Sequence, residues 1–278
     1  MKLLLNTIGL MFSFIPLMAQ QGHGPIYALA TPTLGKGAAS FDVAAMSMES
    51  QDQRSLMLRY LWSYGITQNL QINLSTPTLI DKIDMPPITR GNAMMPANGD
   101  IEASMYYRFF HNDFGIGKRI ESTAIVGGAL PAEKMRDGIR VGNSIHTALV
   151  AGYVSRTWYS WVGGGYHYYF KKDNDQIGNL LYATFALGYR PSFFQQDYPK
   201  ADWRLFLESV AEFPGENISK GTTDLGGRSK KYFLGPTVLG LYGAWGISGG
   251  LLFPVYQQVT DSFEREGVRL TIHFSYWF

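Results

Sequence analysis

The chain has 278 residues, and 24 Lys and Arg against 22 Asp and Glu leave a net charge of +2, too small a basic excess to indicate nucleic-acid binding. It contains no cysteine, which excludes disulfides, thiolate chemistry, cysteine metal sites and a lipidated cysteine anchor. Hydrophobic residues make up an ordinary 46%, but aromatics reach 14% and glycines number 31, a balance suited to aromatic girdles and tight hairpins.

Lys2 opens the chain, an apolar stretch follows to Met18, and small Ala19 precedes polar Gln20. A positive start, an apolar core and a small residue at the cut are the parts of a secretory signal peptide. The stretch is short for a membrane anchor and Pro16 interrupts it. Residues 1–19 are therefore expected to be a signal peptide, and residues 20–36 an extended arm, either periplasmic or tucked into a lumen. Residues 37–278 are expected to form the folded domain.

From Gly37 onward, segments of strand length succeed one another. They run over about Gly37–Met48, Arg54–Tyr64, Leu70–Leu79, Gly99–Phe110, Arg119–Leu130, Ser144–Ser155, Trp158–Phe170, Asn179–Arg190, Trp203–Phe213, Lys231–Leu241, Trp245–Tyr256 and Gly267–Phe278. Successive strand residues face opposite sides. In the fourth segment Ile101, Ala103, Met105, Tyr107 and Phe109 share one side, while Asp100, Glu102, Ser104, Tyr106 and Arg108 share the other. The last segment places Leu270, Ile272, Phe274, Tyr276 and Phe278 on an apolar side, with Trp277 as an exception on the polar one. No apolar run past the signal is long enough for a membrane helix.

Rings cluster at strand ends, as at Trp62, Tyr64, Phe109, Phe110, Tyr168, Tyr169 and Phe170. Connections alternate, short at Gly65–Asn69, Arg156–Thr157 and Tyr242–Ala244 and mostly longer in the other series, although His111–Lys118 and Pro191–Asp202 read as long members of the short series. These features define an all-β fold, a transmembrane antiparallel β-barrel of about twelve strands in the outer membrane of a Gram-negative bacterium. Tyr276, Trp277 and Phe278 are the expected closure and assembly signal, read by the barrel assembly machinery.

With the apolar sides toward lipid, Arg59, Asp100, Glu102, Arg108, Arg119, Glu121, Arg204, Glu208, Glu212, Arg269 and His273 line the lumen as a charged lattice of mixed sign. Such a lattice either stiffens a narrow barrel or forms a constriction that orients a solute. Ser144 and His146 share a strand face, but no third catalytic partner is placed by sequence, so no enzyme activity and no catalytic residue are assigned. No cofactor is implied. One metal alternative exists: cleavage after Gln20 would leave Gln21-Gly22-His23 at the new amino terminus, where His23 suits copper(II), with Met85, Met94 and Met95 as soft ligands for copper(I).

Gly22-His23-Gly24-Pro25 followed by Ala30-Thr31-Pro32-Thr33-Leu34-Gly35-Lys36-Gly37-Ala38 resembles a family of bacterial outer-membrane transporters of the "MetA pathway of phenol degradation" type. That family is loosely related to hydrocarbon and fatty-acid channels. The resemblance extends to Tyr64-Gly65-Ile66-Thr67, Asp202-Trp203-Arg204-Leu205-Phe206, Gly235-Pro236-Thr237 and Tyr242 to Gly250. It implies an outer-membrane channel for passive passage of small solutes, apolar or aromatic compounds among them. The alternatives are a non-conducting structural or surface-interaction barrel, and a barrel linked to copper handling. The expected partners are outer-membrane lipid, the assembly machinery and a small-molecule solute, and no nucleic acid.

Overall fold

The computed structural model describes residues 24–50, 53–81, 100–132, 134–136, 138–195, 200–224, 229–259 and 265–278. The expected signal peptide, His23, Met85, Met94 and Met95 lie outside them. The strands in chain order are β1 (Ala39–Ser50), β2 (Gln53–Gly65), β3 (Leu70–Asp81), β4 (Ile101–Gly115), β5 (Lys118–Leu130), β6 (Met135–Arg136), β7 (Ile139–Arg140), β8 (Ser144–Val154) and β9 (Trp158–Tyr169). They continue with β10 (Leu180–Tyr189), β11 (Asp202–Pro214), β12 (Asn217–Ser219), β13 (Thr222–Asp224), β14 (Lys230–Tyr242), β15 (Trp245–Gln258) and β16 (Glu266–Trp277). One short 3-10 turn, Ser192–Phe194, lies between β10 and β11.

Twelve of these strands close into a single antiparallel barrel in the order β1-β16-β15-β14-β11-β10-β9-β8-β5-β4-β3-β2. Each pairs with its sequence neighbour, and β16 closes the ring on β1 from Ser40 opposite Trp277 to Ser47 opposite Leu270. Closure gives every barrel strand a partner on both sides, the condition for crossing a hydrocarbon layer that offers no water to backbone groups. The remaining four strands form two small hairpins, β6-β7 and β12-β13, outside the ring.

The strand period of two sorts the side chains. Along β10, Leu181, Phe185, Leu187 and Tyr189 are exposed while Leu180, Tyr182, Thr184 and Ala186 are buried inside. Leu149, Val162, Leu205, Leu207, Ile247, Ile272 and Phe274 also face outward. A soluble monomer does not present so continuous an apolar band, so the barrel is a transmembrane one of the Gram-negative outer-membrane type. At its short-turn end the band finishes in exposed rings, including Trp62, Tyr107, Trp158, Tyr189, Trp245 and Phe278.

The observed strands match the expected ones to within a few residues, with two corrections. The segment His111–Lys118 is not a long turn: β4 continues to Gly115, and only Ile116 and Gly117 separate it from β5. A bulge between Arg108 and Phe110 lets Phe109 and Phe110 both face outward, which breaks the alternation that marked the strand. Tyr169 is not a girdle residue either. It is buried inside, packed with Ile139, Val141 and Ile177 beneath the long-loop end.

Trp277 is buried, so its place on the polar side of β16 is real. Its ring lies over Gly246 of β15, where an added Cβ would come within 2.4 Å of the indole. The glycine leaves room for an inward tryptophan at the closing seam.

At the long-loop end Asp175 ties three loops together. Its carboxylate accepts the main-chain N–H of Arg140 in β7 at 3.0 Å and that of Lys220, in the β12-β13 turn, at 2.6 Å. These two hydrogen bonds hold its carboxyl below the usual aspartate range, the Lys220 bond contributing most.

Candidate functional site: the barrel lumen

Residues 24–36 run along the inside of the barrel as a hook. The chain enters beside the β2-β3 turn, where the hydroxyl of Thr33 donates to the Gln68 carbonyl at 3.1 Å and the Leu34 N–H donates to Gln71 Oε1 at 2.7 Å. Further in, the Thr31 hydroxyl donates to Glu121 at 3.0 Å and accepts from Trp161 Nε1 at 3.0 Å, while the Thr31 carbonyl accepts the Thr123 hydroxyl at 2.6 Å. The Leu29 N–H donates to Thr184 Oγ1 at 3.1 Å. At the tip the chain doubles back, so that a Cβ on Gly24 would lie 2.8 Å from that of Ala30.

The tip is held by one carboxylate. Glu208, fully buried on β11, accepts the main-chain N–H groups of Ile26 at 2.8 Å, Tyr27 at 2.6 Å and Ala28 at 2.8 Å, together with the Thr237 hydroxyl. Successive amides converging on one anion form a nest, and a charged acceptor makes each bond stronger than a neutral one. The Tyr27 hydroxyl donates to the carbonyls of Gly250 in β15 at 2.9 Å and Arg269 in β16 at 3.2 Å. The hook therefore spans the lumen from β3, at Gln71, to β11, at Glu208, on the opposite side of the ring, with Tyr27 also touching β15 and β16.

The charged residues expected in the lumen separate into nodes. Toward the long-loop end Arg269, 1% exposed, forms a two-pronged pair with Glu212 at 3.0 and 2.8 Å and also donates to Glu266. Lys231 lies 3.1 Å from Glu266, and the ring of Phe233 stacks 4.0 Å beneath the Arg269 guanidinium. Two cations and two carboxylates make this node neutral. Toward the short-turn end Glu121 takes Arg108 at 2.9 Å and Arg119 at 2.9 Å, with His111 Nδ1 at 3.1 Å. Arg204 pairs with Asp202 at 3.2 Å and lies 5.3 Å over the ring of Tyr159, while Arg190 takes the other Asp202 oxygen at 2.6 Å.

The other expected lumen residues are scattered. Asp100 is buried at the mouth of β4 and accepts the Ala132 N–H at 3.0 Å, an anchor for a loop. Glu102 lies 3.8 Å from His146, whose ring stacks on His167 at 4.9 Å. His273 approaches Asp42 at 3.4 Å. Arg59 lines the internal cavity beside the hook with Asp42 and His273. Ser144 pairs in register with Tyr169 and His146 with His167. The Tyr276 ring lies 4.2 Å from that of Trp245, tilted by 47°, and meets the Phe278 ring edge-on at 4.8 Å.

Several participants were not singled out by sequence, Lys231, Asp202, Glu266 and Asp42 among them. Glu266 sits on an even position while its inward neighbours Arg269, Thr271 and His273 are odd. A bulge opposite Met48 and Ser50 shifts the parity, so alternation alone places Glu266 in a loop. Asp42 on β1 meets His273, which lies at the other end of the chain, so local alternation does not bring the two together. The pairing of Glu208 with the hook has no sequence signal, because its donors are backbone amides.

A closed twelve-strand barrel with an apolar exterior and a buried charged interior defines a porin-like outer-membrane protein. No protein-family model and no curated protein sequence matches the chain. Among solved structures the chain is similar in fold to an outer membrane channel from Pseudomonas putida F1, with TM-score 0.58 at 15% identity over 92% of this chain and 100% of that one. It is also similar to the NanC porin, with TM-score 0.51 at 8% identity over 85% of this chain and 98% of that one.

Proposed function

We propose that the protein is a passive outer-membrane channel for small solutes, apolar or aromatic compounds among them, whose lumen is narrowed at mid-height by the N-terminal hook. The observation that carries this reading is the attachment of the hook. It crosses the lumen on hydrogen bonds from its own backbone to Glu208, Thr184 and Gln71, and among the described residues it is joined to the wall through Gly37 and Ala38, which lead into β1. An element bonded in this way can be withdrawn without opening the barrel ladder. The two proteins of similar fold are described as a channel and a porin, which supports passage through this barrel too. The secretory signal over residues 1–19 and reading of Tyr276, Trp277 and Phe278 by the assembly machinery belong to the same proposal.

A second reading, a non-conducting structural barrel, is favoured by the neutral Arg269–Glu212–Glu266–Lys231 node, which fills one side of the lumen with ion pairs. Conductance of the reconstituted protein in a planar bilayer separates the two. Discrete openings that grow when residues 24–34 are removed support the channel; silence from both forms supports the structural barrel. The copper reading rests on residues outside the described ones, and an amino terminus beginning at Gln20 would end it.

A further inference from the structure

Around residues 26–29 the barrel wall meets the hook with acceptors. Glu208 takes the Ile26 N–H on Oε1 and those of Tyr27 and Ala28 on Oε2, so both oxygens accept, the pattern of an ionised carboxylate. Thr184 Oγ1 takes the Leu29 N–H, and the carbonyls of Gly250 and Arg269 take the Tyr27 hydroxyl. Buried charges are ordinarily paired with an opposite one. Among the described residues no basic side chain pairs with Glu208, and the nearby cations Arg269 and Lys231 are matched by Glu212 and Glu266. The hook amides and the Thr237 hydroxyl, all neutral, are what holds this charge.

Rings stand beside the carboxylate. Ala186 of β10 is the register partner of both Trp161 and Glu208, so the three side chains lie abreast on the lumen wall. Phe206 shares the inward face of β11 two positions from Glu208. The Trp161 and Phe206 ring centres are 6.1 Å apart, and both rings join Ala28 of the hook in one buried cluster. A carboxylate flanked by aromatic faces suits an organic ammonium ion, whose N–H groups bond the oxygens while the rings attract its charge.

We infer that the hook tip occupies a binding site for an organic ammonium ion with an apolar body, which takes Glu208 through its N–H groups, lays its body toward Trp161 and Phe206, and displaces residues 26–28. The inference rests on the channel reading for its purpose, since such a solute would open its own route. A primary ammonium carries three donors on one atom together with the charge that backbone amides lack. Exchange of hook for solute therefore leaves the carboxylate satisfied.

The test uses the full mature chain refolded in detergent, with benzylammonium as the probe and benzyl alcohol and benzoate as controls of similar body. Calorimetric titration should show one saturable site for benzylammonium and none for the controls, and amide exchange at Ile26, Tyr27 and Ala28 should quicken as the site fills. Tyr27→Phe removes a hydrogen bond from the hook and leaves Glu208 in place, so it should tighten benzylammonium about fivefold. Glu208→Gln keeps the shape and removes the charge, so it should weaken the probe about tenfold or more. Gel mobility before and after heating confirms that each variant is a closed barrel. Competition requires these opposite signs, and a general loosening of the lumen would not give them. Absence of saturable binding, both variants shifting affinity in one direction, or binding that leaves the three amides protected would overturn the inference. Conductance without ammonium binding would leave the channel standing and remove the site; binding without conductance would do the reverse.

Discussion

Glu208 accepts the main-chain N–H of Tyr27 at 2.6 Å, joining residues 181 positions apart at the centre of the lumen. The contact is sequence-blind on one side, because any non-proline residue at 27 offers the same donor. It is specific on the other, because only a carboxylate at 208 can accept from Ile26, Tyr27 and Ala28 together with Thr237.

Glu208→Ala should therefore release the hook tip without loosening the barrel. Three amide donors and a hydroxyl lose a charged acceptor, and bonds to charged groups contribute about 1.5–3 kcal/mol each. Hydrogen exchange at Ile26, Tyr27 and Ala28 should quicken by at least a hundredfold, while exchange in β10 and β11 stays close to wild type. Unchanged protection at the three amides would show that Glu208 does not hold the tip.

Arg269→Met should destabilise the barrel by about 3–5 kcal/mol, because it leaves Glu212 and Glu266 buried with Lys231 as their remaining cation. Replacing Arg269 and Glu212 together with apolar residues should recover a large part of that loss, since a buried ion pair and an apolar pair of similar volume are nearly equivalent. Urea unfolding in lipid vesicles measures both.

Asp175 sets a pH dependence at the long-loop end. Its folded pKa is depressed by the Lys220 and Arg140 amides, so its contribution is fully present above the unfolded aspartate value of about 3.9 and is lost as pH falls through the lower folded value. Protease accessibility of the β6-β7 and β12-β13 hairpins should be constant from pH 7 to 5 and rise below about pH 4. Asp175→Asn should give raised accessibility at every pH.

Phe278 ends the barrel with its N–H donated to the Ala39 carbonyl at 2.9 Å and an exposed ring against Tyr276. Its deletion should lower the amount of folded protein reaching the outer membrane several-fold in cells. The same truncation refolded in detergent should keep wild-type conductance, which separates an assembly role from a transport role.

The barrel was legible because lipid enforces the period of two: Leu181, Phe185 and Leu187 must face out if Thr184 and Ala186 face in. Arg108 and Glu121 could be placed as neighbours because a hairpin joins them. Alternation failed at the bulges near Phe110 and Glu266, where one extra residue inverts the parity. It was silent on the hook, whose partners are chosen by backbone amides and by the space that Gly65 leaves. A Cβ there would lie 2.0 Å from the Gly35 carbonyl oxygen, so the hook's exit depends on a residue that reads in sequence only as a turn.

Single-channel conductance, compared between the mature chain and a form lacking residues 24–34, tests the proposed narrowing of the lumen by the hook most directly. Small or infrequent openings in the complete chain and steady, several-fold larger openings in the shortened one are the expected result. Equal conductance in the two forms would contradict the hook as the element that narrows the lumen.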